Sequence, residues 1–302
     1  MRTMKSDDIV ASLLTKFNNE LSSHLKADVI TIKAPIRFGL DDVVRHEIEG
    51  LYDGSTERRP SKLVVVLETT GGYIEVVERI YNVFRKHYKH VDFIVPNFAY
   101  SAGTVLVMSG DDIYMDYYSV LGPIDPQYET EDGKFVPGVG YLEKFKELLK
   151  TVNNANSQQA SRAELAFLLK KFEPATLFFI EHAIAHSVSL LEDWLPRHKF
   201  KSWNLKKTSK KKVTPTDKKN RAVEIAEILG NPGRWHSHGR GIGLKELTSE
   251  EIKLKVINFG DDEELNKKIR SYYDLLLDYC GKLGVRSNSH TVVHTSRGLR
   301  RI

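Results

Sequence analysis

The sequence predicts an α/β protein with a mainly parallel sheet and outer helices, and three observations carry that reading. Leu63–Leu67 is a continuous apolar run, short enough for a buried strand, and Val91–Val95 is a second run rich in β-branched residues. Each run ends in a turn holding glycine before a helical stretch, Gly71-Gly72 in the first case and Ser101-Ala102-Gly103 in the second. In the helix after the first turn, Ile74, Val77, Tyr81, Phe84 and Tyr88 recur at alternating spacings of three and four, which places them on one face. Strands alternating with helices need crossover connections and hence parallel pairing.

The remaining elements follow in order. The N-terminal stretch to Glu20 mixes charged and apolar residues and reads as an amphipathic helix, with Ile9, Leu13, Leu14 and Phe17 on one side. Asp28–Ile32 is strand-like, Leu40–Leu51 helical, and Tyr52–Ser61 a polar connector. Ile113–Asp116 is a short strand closed by Tyr117-Tyr118-Ser119. Beyond Tyr141 the chain turns helical, over Tyr141–Val152, Ser161–Phe172 and Pro174–Trp194. Lys219–Leu229 and Leu244–Glu251 are helical, Lys253–Ile257 a strand, and residues 263 to 280 a final amphipathic helix. The tail from Arg286 lacks an apolar period and reads as disordered. The organisation expected is an N-terminal helix over 1–27, one α/β domain over 28–260 and a C-terminal helix with its tail over 261–302. Within the domain lie a helical excursion at 141–195 and a lysine-rich loop at 198–220.

A chain of 302 residues with 41% hydrophobic residues can bury a sizeable core. Its single cysteine, Cys280, excludes an intramolecular disulfide framework and fits a reducing, cytoplasmic setting, where it serves as a small buried hydrophobe. No stretch reaches the roughly 18–20 apolar residues that span a bilayer, and no signal-peptide core stands at the N-terminus. The expectation is therefore a soluble protein without a transmembrane segment. The net charge of +5 is local in origin. Nine lysines against Asp217 between residues 199 and 219 carry +8, leaving −3 on the rest. That segment reads as a solvated loop, or as a patch for an acidic partner. Phe200 and Trp203 are its two aromatics, too few for base stacking, so no specific nucleic-acid partner is expected.

Ser101 stands where a strand gives way to a helix N-terminus, a place that favours negative charge. A serine there is commonly a plain N-cap. It can also attack a carbonyl, with the next amide holding the oxyanion. The preceding strand–Gly-Gly–helix unit favours the second reading, because glycines at a strand end let backbone amides face a ligand.

Glu68-Thr69-Thr70-Gly71-Gly72, Ser101-Ala102-Gly103-Thr104, Leu121-Gly122-Pro123-Ile124-Asp125-Pro126-Gln127 and Trp235-His236-Ser237-His238-Gly239-Arg240 together resemble the Clp-protease/crotonase superfamily. Within it they are most similar to the serine dehydrogenase proteinase branch, relatives of signal peptide peptidase. The resemblance covers about residues 30–150 and 222–258. It implies a fold of repeated ββα units, Ser101 as nucleophile, and an oxyanion hole from Gly71, Gly72 and Ala102. It further implies no cofactor, a peptide or unfolded-protein substrate bound beside the Gly-Gly edge, and a homo-oligomer. Clp proteases carry a histidine some two dozen residues after the serine, and the Gly122–Pro126 region has none. Signal peptide peptidases use a serine–lysine dyad instead. The first choice for the base is thus Lys144, provided burial lowers its pKa. Lys146 and Lys150 share its helix. His238 is the rival, in a segment where Clp proteases place their third triad member, with His236 as its neighbour.

Two other classes remain open: an oligomeric scaffold with the fold and little catalysis, and a crotonase-type coenzyme A thioester enzyme. His182 and His186, spaced i, i+4, could pair on a metal, yet no third ligand has a recognisable spacing, so no metal is expected. Asp125 reads as a turn former.

Overall fold

The computed structural model describes residues 6–51, 60–129, 135–154, 166, 174–206, 210–235, 237, 239–287 and 291–302. The chain runs α1 (Ser6–Leu25), β1 (Asp28–Lys33), α2 (Leu40–Gly50), β2 (Lys62–Glu68), α3 (Ile74–His87), β3 (His90–Ile94), β4 (Phe98–Ala99) and α4 (Ala102–Met108). It continues through β5 (Ile113–Met115), β6 (Val120–Leu121), β7 (Gln127–Glu129), β8 (Phe135–Pro137), α5 (Gly138–Asn154), α6 (Pro174–Arg197) and α7 (Pro215–Leu229). The last elements are α8 (Pro232–Trp235), β9 (Ile242–Gly243), α9 (Leu244–Thr248), β10 (Ile257–Asn258), a 3-10 turn at Phe259–Asp261, α10 (Glu263–Ser287), β11 (Val292–Thr295) and β12 (Gly298–Arg301).

The main sheet has strand order β10-β5-β3-β2-β1-β11-β12. Its first five strands are parallel, as the alternation of strands and helices predicts, and the last two are antiparallel. Side chains alternate across the pleat and so feed two cores. Leu63, Val65 and Leu67 of β2 join α2, α3, α4, α6 and α7 on one face. Val64 and Val66 face α1 and α10 on the other. The result is an α/β protein whose mainly parallel sheet lies between helical layers.

A second sheet, β4-β6-β9, positions the site. Phe98–Ala99 pairs in parallel with Val120–Leu121, which pairs antiparallel with Ile242–Gly243. Residues Ile242–Gly243, which follow the Trp235–Arg240 motif, are thereby drawn to within two strands of the residues leading to Ser101.

Several expectations are corrected. Residues 291–302 are not a disordered tail: Val292–Thr295 is fully buried as β11, paired with β1 at Thr31↔His294, and β12 closes a hairpin on it. The buried stripe of α1 is Leu14, Asn18 and Leu21, while Ile9 and Leu13 are exposed. The lysine-rich stretch ends earlier than expected. A capping box between Thr214 and Asp217 starts α7 at Pro215, so Lys218 and Lys219 are helical. The predicted strand at 253–257 forms only at Ile257–Asn258. Helix α6 is by length and composition apolar enough to cross a membrane, contrary to the reading of the sequence. Its Ile180, Leu190, Leu191, Trp194 and Leu195 are nonetheless buried, whereas Phe178 and Phe179 are 63% and 62% exposed. The helix expected at Ser161–Phe172 lies outside the described residues, apart from position 166.

Candidate active site

The site is built where β2 and β3 end. Thr69 pairs with Ala99: its N–H donates to Phe98 O at 3.2 Å, and Tyr100 N donates to Thr69 O at 3.0 Å. This brings the turn after β2 against the residues after β4. The contact is close. A Cβ on Gly71 would lie 2.7 Å from Ser101 Cβ and 3.3 Å from Ala102 N. Gly71 (φ +92°) and Gly72 (φ +146°) are also in the region that side chains avoid, and a Cβ on Gly72 would lie 2.0 Å from Ile36 O. Both glycines are therefore required by backbone geometry and by proximity.

Ser101 is half-buried and itself strained, with φ 54° and ψ −122°. Such a conformation costs roughly 1–3 kcal/mol and must be held by its surroundings. Its hydroxyl makes no capping bond to α4. The plain N-cap reading therefore does not describe it. Thr104, fully buried, stitches the turn instead: its Oγ1 donates to Ala99 O (2.9 Å) or Gly122 O (2.8 Å) and accepts from Gly122 N (3.0 Å).

The backbone amides around Ser101 are not equivalent. Gly71 N–H donates to Thr69 Oγ1 at 3.1 Å. Among the described residues no hydrogen bond engages the N–H of Gly72 or of Ala102. Of the three amides expected at an oxyanion hole, two are thus unengaged and one is held by a threonine. The role of Thr69 was missed, although it lies inside the motif, because nothing in a sequence says that a threonine will bend back onto a following amide. Beside the turn, Tyr73 N donates to Ile36 O at 2.9 Å, and the exposed rings of Tyr73 and Phe38 pack with centroids 4.8 Å apart.

The expected base is placed differently. Lys144, on α5, has a side chain 73% exposed and donates to Glu147 Oε2 at 2.6 Å. That hydrogen bond and the Glu147 charge raise its pKa, the opposite of what burial would do. The expectation of a desolvated Lys144 is corrected, since the polar face of α5 on which it stands looks to solvent. Lys146 is likewise exposed. His238 and His236 lie outside the described residues.

A lysine lowered by burial does exist: Lys199, whose Nζ reaches Asp111 O (3.2 Å) and Asp112 Oδ1 (3.4 Å). It packs on the residues that lead into β5, at the end of the sheet away from Ser101. There the ligand atoms of His90, Asp92 and Asp112 lie within 4.8 Å of one another, a grouping that could hold a metal ion. Lys62 is 2.8 Å from Asp92 and Lys199 3.4 Å from Asp112, so these carboxylates already have cationic partners. His186 pairs with Glu78 at 3.3 Å while His182 packs on the Phe178 ring, so the i, i+4 pair serves separate contacts. Asp125 is buried, and burial pushes the Cys280 thiol up to about 11, as suits an inert core cysteine.

The site thus holds a strained serine after a strand, packed on a Gly-Gly turn. Residues 54–138, which hold Gly71, Gly72, Ser101 and Ala102, match the family model of the ClpP-like SDH-type serine proteinases. Lys144 and His238 fall outside the matched segment. A stretch of 63 residues is 36% identical to the uncharacterized protein MJ0137 of Methanocaldococcus jannaschii and 33% identical to MJ1495 of the same organism. Each match covers 21% of this chain, and the chain spans 22% of the length of either relative. Among solved structures, an alanine variant of the 1510-N membrane-bound stomatin-specific protease in complex with a substrate peptide is similar over 80% of this chain and 78% of its own, at 17% identity and a TM-score of 0.45. The ClpP catalytic domain from Plasmodium falciparum is similar over 40% of this chain and 62% of its own, at 14% identity and a TM-score of 0.29.

Proposed function

We propose that the protein is a serine peptidase acting through an acyl-enzyme on Ser101. The observation that carries this is the strained, uncapped Ser101 against Gly71, with the unengaged amides of Gly72 and Ala102 beside it. In the proposed reaction Ser101 Oγ bonds to the substrate carbonyl carbon as its proton passes to a base, and the amides of Gly72 and Ala102 receive the oxyanion. The base returns the proton to the leaving amine, and water then releases the acyl group by the same route. Lys144 remains the proposed base, with His238 as its rival. Lys144 must exchange its Glu147 bond for a drier setting before it can act. Packing of a second subunit over α5 and α6 would supply that, and the exposed Phe178 and Phe179 support a homo-oligomer. A peptide or unfolded segment is the proposed substrate, bound as a strand along the Gly71–Gly72 edge.

The deciding experiment is labelling with a fluorophosphonate probe. Wild type should be labelled and Ser101→Ala should not. Equal labelling of the two would remove Ser101 as nucleophile, and a folded oligomer that is never labelled would favour the scaffold reading.

A further inference from the structure

The strain at Ser101 raises the question of what holds it. Along Asn97–Tyr100, the backbone carbonyls are tied within the site itself: Asn97 O accepts from Val120 N at 2.8 Å, Phe98 O from Thr69 N, Ala99 O from Gly122 N at 3.1 Å and Tyr100 O from Gly103 N at 2.9 Å. The Asn97 side chain donates to Glu68 at 3.2 Å, and Glu68 is paired with Lys33. One tie comes from far along the chain. Arg270, on α10, donates from Nη1 to Pro96 O at 2.7 Å and from Nη2 to Asp116 Oδ2, and its guanidinium lies 5.3 Å from the Phe259 ring centroid.

Asp116 in turn shapes the bend before β6. Its Oδ1 accepts from Tyr118 N (3.0 Å), Ser119 N (3.1 Å) and Ser119 Oγ (2.9 Å). A single guanidinium therefore closes the entry to β4 at Pro96 onto the entry to β6 at Asp116. These strands pair directly, Phe98 with Val120 and Ala99 with Leu121, and β4 runs into Ser101 two residues later. Displacement at either entry passes along this paired ribbon to the serine. A planar fork holding one carbonyl and one carboxylate at once is a role for arginine that a lysine ammonium fills poorly.

We infer that Arg270 is a positioning residue for Ser101, clamping the two segments that carry and flank the nucleophile from the C-terminal helix. The inference rests on the reading of Ser101 as nucleophile, and it makes α10, outside the segment matched by the protease family, part of the working site.

The test uses the full chain as wild type, Arg270→Gln and Arg270→Lys, each shown to be folded by circular dichroism. Three readouts are taken: the fluorophosphonate labelling rate per folded molecule, kcat and KM on self-quenched casein, and amide hydrogen exchange over residues 96–122. For Arg270→Gln the expected result is a ten- to hundred-fold lower labelling rate and kcat, KM within two-fold, and faster exchange in that segment. Arg270→Lys should recover only part of the rate. An ion pair with a purely structural role would lower the melting temperature and leave labelling per folded molecule unchanged, and that result overturns the inference. Unchanged exchange over 96–122 also overturns it, whatever the activity. A wild type that is never labelled overturns the nucleophile reading instead, and with it the catalytic half of the inference.

Discussion

Gly72 carries the sharpest demand at the residue scale, because its φ of +146° and the 2.0 Å approach to Ile36 O both exclude a side chain. Gly72→Ala must shift the turn that presents its N–H, so turnover should fall by about 100-fold, the scale of losing one oxyanion donor. Steady-state kinetics on a variant shown to be folded checks this, and an unchanged kcat would remove Gly72 from the hole. The base is open to a similar test through pH. With Glu147 raising its pKa, a neutral Lys144 becomes more populated as pH rises, so a lysine-dependent rate climbs toward alkaline pH and disappears in Lys144→Ala. A histidine base gives a rate that falls below pH of about 6.5 and disappears in His238→Ala. Full activity in Lys144→Ala would show that the dyad lysine was assigned to the wrong position.

Helix α6 poses the main question at the scale of elements. Its C-terminal half packs Leu190, Leu191, Trp194 and Leu195 into the core, with Trp194 stacked on Tyr81 at 4.1 Å. Its N-terminal half leaves Phe178 and Phe179 in solvent. If that half is a subunit contact, the double substitution Phe178→Ser with Phe179→Ser should lower the molecular mass by light scattering without altering the circular dichroism spectrum. An unchanged mass would place the contact elsewhere. The elements themselves were largely legible in the sequence. The β2 and β3 strands and α3 follow from local patterning, and α3 buries Ile74, Val77 and Phe84 as its spacing requires. α1 was placed correctly, but its buried stripe was not, because apolar residues on both sides of a helix leave the choice of face to whatever packs on it.

Acid sensitivity belongs to the whole molecule. His294 is fully buried in the C-terminal hairpin, its Nδ1 2.7 Å from Tyr272 Oη, and burial lowers its pKa to about 4. Burial likewise lowers His198, bonded to Tyr81, to about 4. Unfolded, both histidines titrate near 6.5, so between pH 6.5 and 4 the unfolded chain binds more protons than the folded one. Stability from these groups is complete above pH of about 6.5 and is lost as pH falls through 4. Urea unfolding at pH 7, 5.5 and 4.5 should show this decline, with a shallower slope in His294→Gln. An identical slope would mean that His294 does not contribute.

The sequence by itself determined the α/β class, the parallel strands and the strand–turn–helix junctions, while the meeting of Gly71-Gly72 with Ser101 was legible only through the family resemblance. Those features depend on short apolar runs and on glycines whose neighbours in the chain already restrict the backbone. Tertiary structure alone decided the rest. It put Lys144 in solvent, gave Gly71 N–H to Thr69, and reached back from α10 with Arg270 to close Pro96 onto Asp116. It also made a strand of a polar tail, because the free edge of β1 offers hydrogen-bond partners that local periodicity cannot reveal. A side chain's burial and a strand's partner are set by segments far away in the sequence, and those come together only when the chain folds.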